Sequence, residues 1–212
     1  MNIIVFGATG ATGKQVVEQA LAAGHHVTAF VRDPSKVQLD HPDLRVEAGQ
    51  VTADQKAVNA AVAGHDAVIS ALGNAHTYKG MRAPTVITDA TPAILSAMRE
   101  SGVDRLVFLS ALGVGDSFKE APLPLKVGYR MVLGPIYADK LRAERILEAS
   151  EVNWTLVYPV LLTNGPRTGT YRAGERLPLK GLAKISRADV ADFMLRQIDD
   201  NTFTRRRAVI AD

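Results

Sequence analysis

The sequence contains no cysteine, which rules out disulfides, thiolate metal sites and a cysteine nucleophile. That absence is compatible with a reducing compartment. No uninterrupted apolar stretch reaches the about 20 residues that a membrane-spanning helix needs. The apolar run at the N-terminus is short, lacks a basic leader and is broken by three glycines. It therefore reads as a first strand rather than a signal peptide, and a cytoplasmic protein with no membrane partner is expected. Basic blocks with interleaved aromatics are also missing, and the net charge of +3 is mild, so no nucleic-acid partner is expected. The five histidines (His25, His26, His41, His65, His76) show no metal-ligand spacing, and no metal is expected. What is present is an ordinary globular composition, 47% hydrophobic and 22% charged. A length of 212 residues suffices for one well-buried core and is short for two.

The chain is organised around Gly7-Ala8-Thr9-Gly10-Ala11-Thr12-Gly13. An apolar run, Ile3 to Phe6, precedes it and a helix-patterned stretch, Lys14 to Leu21, follows. Strand, glycine-rich turn and helix form the context in which such a motif cradles a dinucleotide. Gly7 suits the tight turn, Gly10 admits the main chain to a pyrophosphate, and Gly13 allows close packing of helix on sheet. The helix's first N–H groups and its dipole then face the phosphates, with Thr9 and Thr12 as hydroxyl donors.

Strand and helix signals alternate along the rest of the chain. Strands are expected at His26–Val31, Leu44–Ala48, Asp66–Leu72, Arg105–Ser110, Trp154–Tyr158 and Arg207–Ile210. Helices are expected at Asp54–Ala63, Thr85–Ser101, Tyr137–Ser150 and Arg187–Ile198, with Tyr137–Ser150 turning Leu141, Ile146 and Leu147 inward. Such alternation implies an α/β fold with a doubly wound, mostly parallel, Rossmann-like sheet in three layers. Residues 1–212 read as a single NAD(P)-binding domain. Two long irregular stretches, about 111–136 and 160–184, read as walls of a substrate pocket.

The adenosine ribose is read about 20 residues beyond the glycine turn. There the chain offers Arg32, with Lys36 four residues on. A guanidinium suits a 2′-phosphate, which favours NADP (NADPH), with NAD as the weaker fit. Asp33 leaves the other option open, because a slip of one residue would present a carboxylate to the ribose. Around the second long loop, Arg167, Arg172, Arg176, Lys180 and Lys184 meet one acid, Glu175. That excess either attracts an anionic acceptor or forms a solvated basic face.

GATGATG followed by FVRDPSK, AGHDAVISALG, GVDRLVFLSALG and RTGTYR resembles an atypical short-chain dehydrogenase/reductase, nearest the biliverdin-IXβ reductase/flavin reductase group and its bacterial NADH-flavin-reductase-like relatives. The resemblance runs from residue 1 to about 200. It implies that Gly7, Thr9, Gly10, Ala11, Thr12 and Gly13 hold the pyrophosphate and that Arg32 and Lys36 hold the 2′-phosphate. Gln50 and Val51 would lie along the adenine, and Leu72 and Gly73 behind the nicotinamide ribose. Ser110 would sit beside the nicotinamide, Lys140 would reach its ribose, and Pro159 would close the sixth strand.

The departures from the family are informative. No tyrosine has a lysine four residues on, since Tyr137 precedes Lys140 by three, and Leu161 stands where the biliverdin-reducing enzyme has a histidine. An ordinary carbonyl therefore lacks an evident proton donor; His76 is a candidate, while the Ser110 hydroxyl is expected to hydrogen-bond the nicotinamide or the substrate. Flat conjugated acceptors (flavin, quinone or a biliverdin-like tetrapyrrole) need less acid assistance. Flavin would then be a substrate rather than a prosthetic group. The resemblance thus implies an NADPH-dependent reductase, monomeric or homodimeric. The alternative is a non-catalytic NADP(H)-sensing protein of the same fold.

Overall fold

Chain order and sheet order together produce the crevice that the glycine turn requires. In the computed structural model, which describes residues 1–73, 85–115, 134–179 and 181–212, the elements are β1 (Asn2–Phe6), α1 (Ala11–Ala22), β2 (His26–Val31), β3 (Leu44–Ala48), α2 (Gln55–Val62), β4 (Ala67–Ser70), α3 (Val86–Ser101), β5 (Arg105–Leu109), α4 (Gly134–Glu148), β6 (Asn153–Pro159), β7 (Leu161–Thr163), β8 (Arg172–Gly174), β9 (Lys184–Ser186), α5 (Arg187–Arg196) and β10 (Arg206–Ala211). Eight strands form one sheet in the order β3-β2-β1-β4-β5-β6-β10-β8. All pairs are parallel except β10 with β8. The chain winds outward through β2 and β3, then returns past β1 to β4. The crevice between the carboxyl ends of β1 and β4 is the topological switch point, where ligands bind in such sheets.

Helices α1 and α5 pack against each other on one face, and α2, α3 and α4 in succession on the other. Sandwiched strands carry apolar residues on both faces. Ile3, Ile4, Val5 and Phe6 of β1, Ala67, Val68 and Ile69 of β4, and Leu106, Val107 and Phe108 of β5 are accordingly buried. The edge strand β3 is half-exposed, with Arg45 and Glu47 paired at 2.7 Å. Gly102 ends α3 in the left-handed conformation, and the Val103 N–H donates to Met98 O at 2.9 Å.

The expected elements are present, with ends moved by a few residues. The stretch expected to be irregular at 160–184 is not. It contains β7 and β8 and leads into β9, with β7 and β9 paired in a small parallel sheet and β8 antiparallel to β10. Three-residue strands carry no periodicity of their own, and their pairing comes from distant partners.

Candidate active site

At the glycine turn the backbone leaves no room for side chains at two positions. Gly7 has a φ of 81°, and a Cβ there would lie 2.6 Å from the Ala71 carbonyl carbon and 2.9 Å from Leu72 N. The turn thus crosses directly over the carboxyl end of β4. A Cβ on Gly13 would stand 2.1 Å from Gly7 O. The first turn of α1 therefore rests on the glycine turn itself, a different contact from the helix-on-sheet packing expected of Gly13. Gly10 is exposed with a φ of −73°, and only Gly7 O at 3.2 Å would crowd a Cβ there, so its outer side is open. Thr12 is 7% exposed, while Thr9, Gly10 and Ala11 rim the turn.

No side chain caps α1, and its first turn carries no acid. Asp54 caps α2 through Ala57 N at 3.0 Å, and Ser186 caps α5 through Asp189 N at 2.9 Å. Helix α3 is capped from α4, with Asp139 accepting from Ile87 N at 3.1 Å and Thr88 N at 2.9 Å. Among these helices α1 is the exception, and its free first-turn N–H groups suit an anion. The cradle that a Cβ would fill and the uncapped donors both fit a pyrophosphate.

At the end of β2, Arg32 is exposed. The neighbouring Asp33 carboxylate accepts from Ser35 Oγ at 2.6 Å and Ser35 N at 3.1 Å, capping the 3₁₀ turn Pro34–Lys36. The hydrogen bond from the Ser35 hydroxyl holds its pKa below the usual range. Asp33 is therefore engaged by its own turn. Lys36 lies 3.8 Å from Asp33 and lines a cavity of about 160 Å³ with Ala8, Lys14 and Leu39. One strand further out, Gln50 is exposed and its carbonyl accepts from Ala53 N and Asp54 N at 2.9 Å each, while Val51 is buried.

The other end of the crevice is built by β4, β5, α4 and β6. Leu72 and Gly73 follow β4, and Leu72 N lies against Gly7. Beyond β5, Ser110 N donates to Val157 O at 2.8 Å and Leu112 N to Pro159 O at 3.1 Å. These bonds fix Ser110 and the buried Pro159 side by side. Lys140 Nζ donates to Leu109 O at 3.0 Å, on the residue just before Ser110. Lys140 is 8% exposed. Burial lowers its pKa to about 8, while Glu144 and Asp139 pull it back up. His76 lies outside the described residues.

The Ser110 hydroxyl, expected to face the nicotinamide or the substrate, instead donates to Glu144 Oε1. The other oxygen of that carboxyl accepts from Tyr158 OH at 2.8 Å. Glu144 is 1% exposed, and burial raises its pKa despite the bonds from Ser110 and Tyr158 and the charges of Lys140 and Arg207. The sequence reading missed this residue. The expected inward face of α4 is also corrected: Asp139, Lys140, Glu144 and Leu147 are buried, whereas Leu141 and Ile146 are only half-buried. Lys140 and Glu144, four apart, look like a solvent-face ion pair in sequence.

The glycine turn after β1 and the residues that follow β5 lie at the same carboxyl edge of the sheet, two strands apart. A model described as NAD(P)H-binding matches residues 7–201. The chain belongs to the NAD(P)H-binding family. An uncharacterised chloroplastic protein of Arabidopsis thaliana is 34% identical over 173 residues, 79% of this chain, which spans 61% of that longer protein. A Bacillus subtilis relative called an uncharacterised sugar epimerase is 27% identical over 97% of this chain and 92% of its own length. The Escherichia coli O157:H7 anaerobilin reductase shares the fold at a TM-score of 0.80, with 22% identity and coverage of 99% and 96% of the two chains. A Veillonella parvula short-chain dehydrogenase/reductase, solved with NADP, does so at 0.78, with 20% identity and coverage of 100% and 94%. The likeness in fold to these two solved structures extends across the chain.

In this NAD(P)H-binding protein Tyr137 does not stand in for the missing phenol, because its hydroxyl donates to Leu112 O at 3.3 Å. Several charged groups of the basic loop are engaged by partners outside it. Arg167 pairs with Asp192 at 2.6 Å, Glu175 pairs with Arg206 at 2.9 Å, and Arg172 donates to Asp212 O at 3.0 Å. Lys180 lies outside the described residues. The RTGTYR segment is clamped to α5. Asp189 accepts from Thr168 N at 2.7 Å and Gly169 N at 2.8 Å, and Asp192 accepts from Tyr171 OH at 2.7 Å. Among the described residues no group of acids and histidines could hold a metal ion, and no helix is long and apolar enough to cross a membrane.

Proposed function

We propose that this chain is an NADPH-dependent reductase that transfers hydride to a flat conjugated acceptor such as a flavin, a quinone or a biliverdin-like tetrapyrrole. One observation carries the reading. The uncapped turn at the end of β1 and the Ser110–Lys140 cluster at the end of β5 lie two strands apart, roughly 10 Å across the sheet, along one crevice. In this reading Gly7, Thr9, Gly10, Ala11, Thr12 and Gly13 hold the pyrophosphate, and Arg32 and Lys36 hold the 2′-phosphate. Gln50 and Val51 border the adenine. Leu72, Gly73 and Pro159 frame the nicotinamide end, where Ser110 and Lys140 act.

The bound nicotinamide supplies the hydride, and the chain supplies position. Lys140, held by Leu109 O, offers its ammonium to the ribose. Among the described residues no free phenol stands beside Lys140, which favours acceptors that are already electron-poor, whose reduction depends mainly on proximity. The description of the Escherichia coli fold relative as an anaerobilin reductase supports an acceptor of this shape.

NADPH is preferred over NADH in this reading because Arg32 is open while Asp33 caps its own turn. Hydrogen bonds to a charged group contribute about 1.5–3 kcal/mol. Arg32→Ala should therefore weaken NADPH about 10–100-fold in a fluorescence titration and leave NADH nearly unchanged; equal losses would refute the assignment. Steady-state NADPH oxidation with flavin mononucleotide, a simple quinone and biliverdin tests turnover. Tight NADPH binding with no turnover on any acceptor would identify a sensor instead.

A further inference from the structure

We infer that Glu144 is the proton-holding positioning residue of this site and passes its proton to the acceptor through the Ser110 hydroxyl. The inference rests on the reductase reading and provides the acid that the sequence seemed to lack. Glu144 is 1% exposed, its two oxygens are shared between Ser110 Oγ and Tyr158 OH, and Ser110 directly follows β5 at the far end of the crevice from the glycine turn. A fully buried carboxyl with two hydroxyl partners and no ion-pair contact within 4 Å among the described residues gains from keeping its proton.

The charged and titratable groups around it come from three elements: Lys140 on α4, Tyr158 on β6 and Arg207 on β10. Glu148 binds Arg207 at 2.6 Å and takes up part of its charge. Burial dominates, and the carboxyl is held above its ordinary range. As an acid, Glu144 donates to Ser110 Oγ and turns the Ser110 hydrogen outward, toward the crevice. As an anion, it accepts from both hydroxyls, and the two contacts are compatible with either form.

The proton and electron balance is closed. The acceptor gains two electrons and one hydrogen as hydride from the reduced nicotinamide nucleotide, which leaves oxidised. Its second hydrogen comes from Ser110: the Oγ–H bond breaks as the acceptor's N–H or O–H forms. The Glu144 O–H bond breaks as the Ser110 O–H re-forms, leaving the carboxylate. Solvent returns one proton before the next turnover.

Glu144→Gln tests this, because an amide keeps a partner for both hydroxyls but cannot release a proton. NADPH affinity should be unchanged, kcat with flavin mononucleotide or biliverdin should fall about 10²-fold, the lower end of general-acid catalysis, and the alkaline limb of the kcat–pH profile should vanish. Ser110→Ala should remove the same limb, and the double variant should be no slower than the slower single. Independently of turnover, the infrared difference spectrum of wild type minus Glu144→Gln should show a protonated carboxyl at about pH 6, where ordinary glutamates are ionised. An absent band, or a kcat–pH profile identical in wild type and variant, overturns the relay and leaves the reductase reading standing. Wild type that binds NADPH but reduces no acceptor ends the reductase reading and the relay together.

Discussion

Replacing Lys140 by Met should change how stability depends on pH, and the structure sets the size of the change. The ammonium is 8% exposed, and burial brings its pKa from 10.5 to about 8. The unfolded chain therefore binds a proton that the folded chain lacks between pH 8 and 10.5. Stability rises with pH wherever the unfolded state binds more protons. The lysine thus imposes a penalty that is complete below pH 8 and gone above 10.5, amounting to about 3 kcal/mol at 1.36 kcal/mol per unit. Methionine removes that penalty but leaves Leu109 O without its donor at 3.0 Å, a loss of about 1–3 kcal/mol. At about pH 7 the two effects nearly cancel. Above the titration only the loss remains, so wild type should be the more stable protein in alkali. Urea denaturation of both chains from about pH 7 to about pH 11 reads the difference directly. Parallel pH curves would show that the ammonium is not buried as described. A residue that imposes this cost in the free protein is expected to be retained for what it does at the site.

Gly13→Ala places a methyl group 2.1 Å from Gly7 O. It should cost about 1–3 kcal/mol and weaken NADPH through the displaced turn; an unchanged denaturation midpoint and affinity would contradict the packing. Asp189→Asn removes the carboxylate that holds Thr168 N, Gly169 N and Ser186 Oγ, and should cost about 2–3 kcal/mol near neutrality in thermal melts. Burial raises the Asp189 pKa, but the hydrogen bonds from Gly169, Ser186 and Thr168 outweigh it and hold the group below 3.8. The wild-type advantage is therefore full above that value and lost as pH falls through the lower folded one. The Asn variant should show no such acid-side loss.

Most of the fold was legible because its signals are local. Ile3–Phe6, the glycines and the amphipathic run after them specify strand, turn and helix within 20 or so residues, and alternation of such units leaves little choice but a parallel wound sheet. The placement of Gly7, Arg32, Ser110 and Lys140 along one crevice follows from that topology, because all four lie at or beside carboxyl ends of strands. Glu144 was not legible. A charged helix such as α4 has the same spacing whether its lysine and glutamate face water or a strand end, and only hydroxyls and a carbonyl from β5, β6 and the Ser110 turn make the inward choice affordable. The same holds for Arg167, whose acid comes from α5, and for β7, β8 and β9, which exist only through their partners. The sequence by itself determined the order of elements and the anion cradle, which depend on neighbours in the chain. Tertiary structure decided which polar groups are buried, because that cost is met by groups far away in sequence.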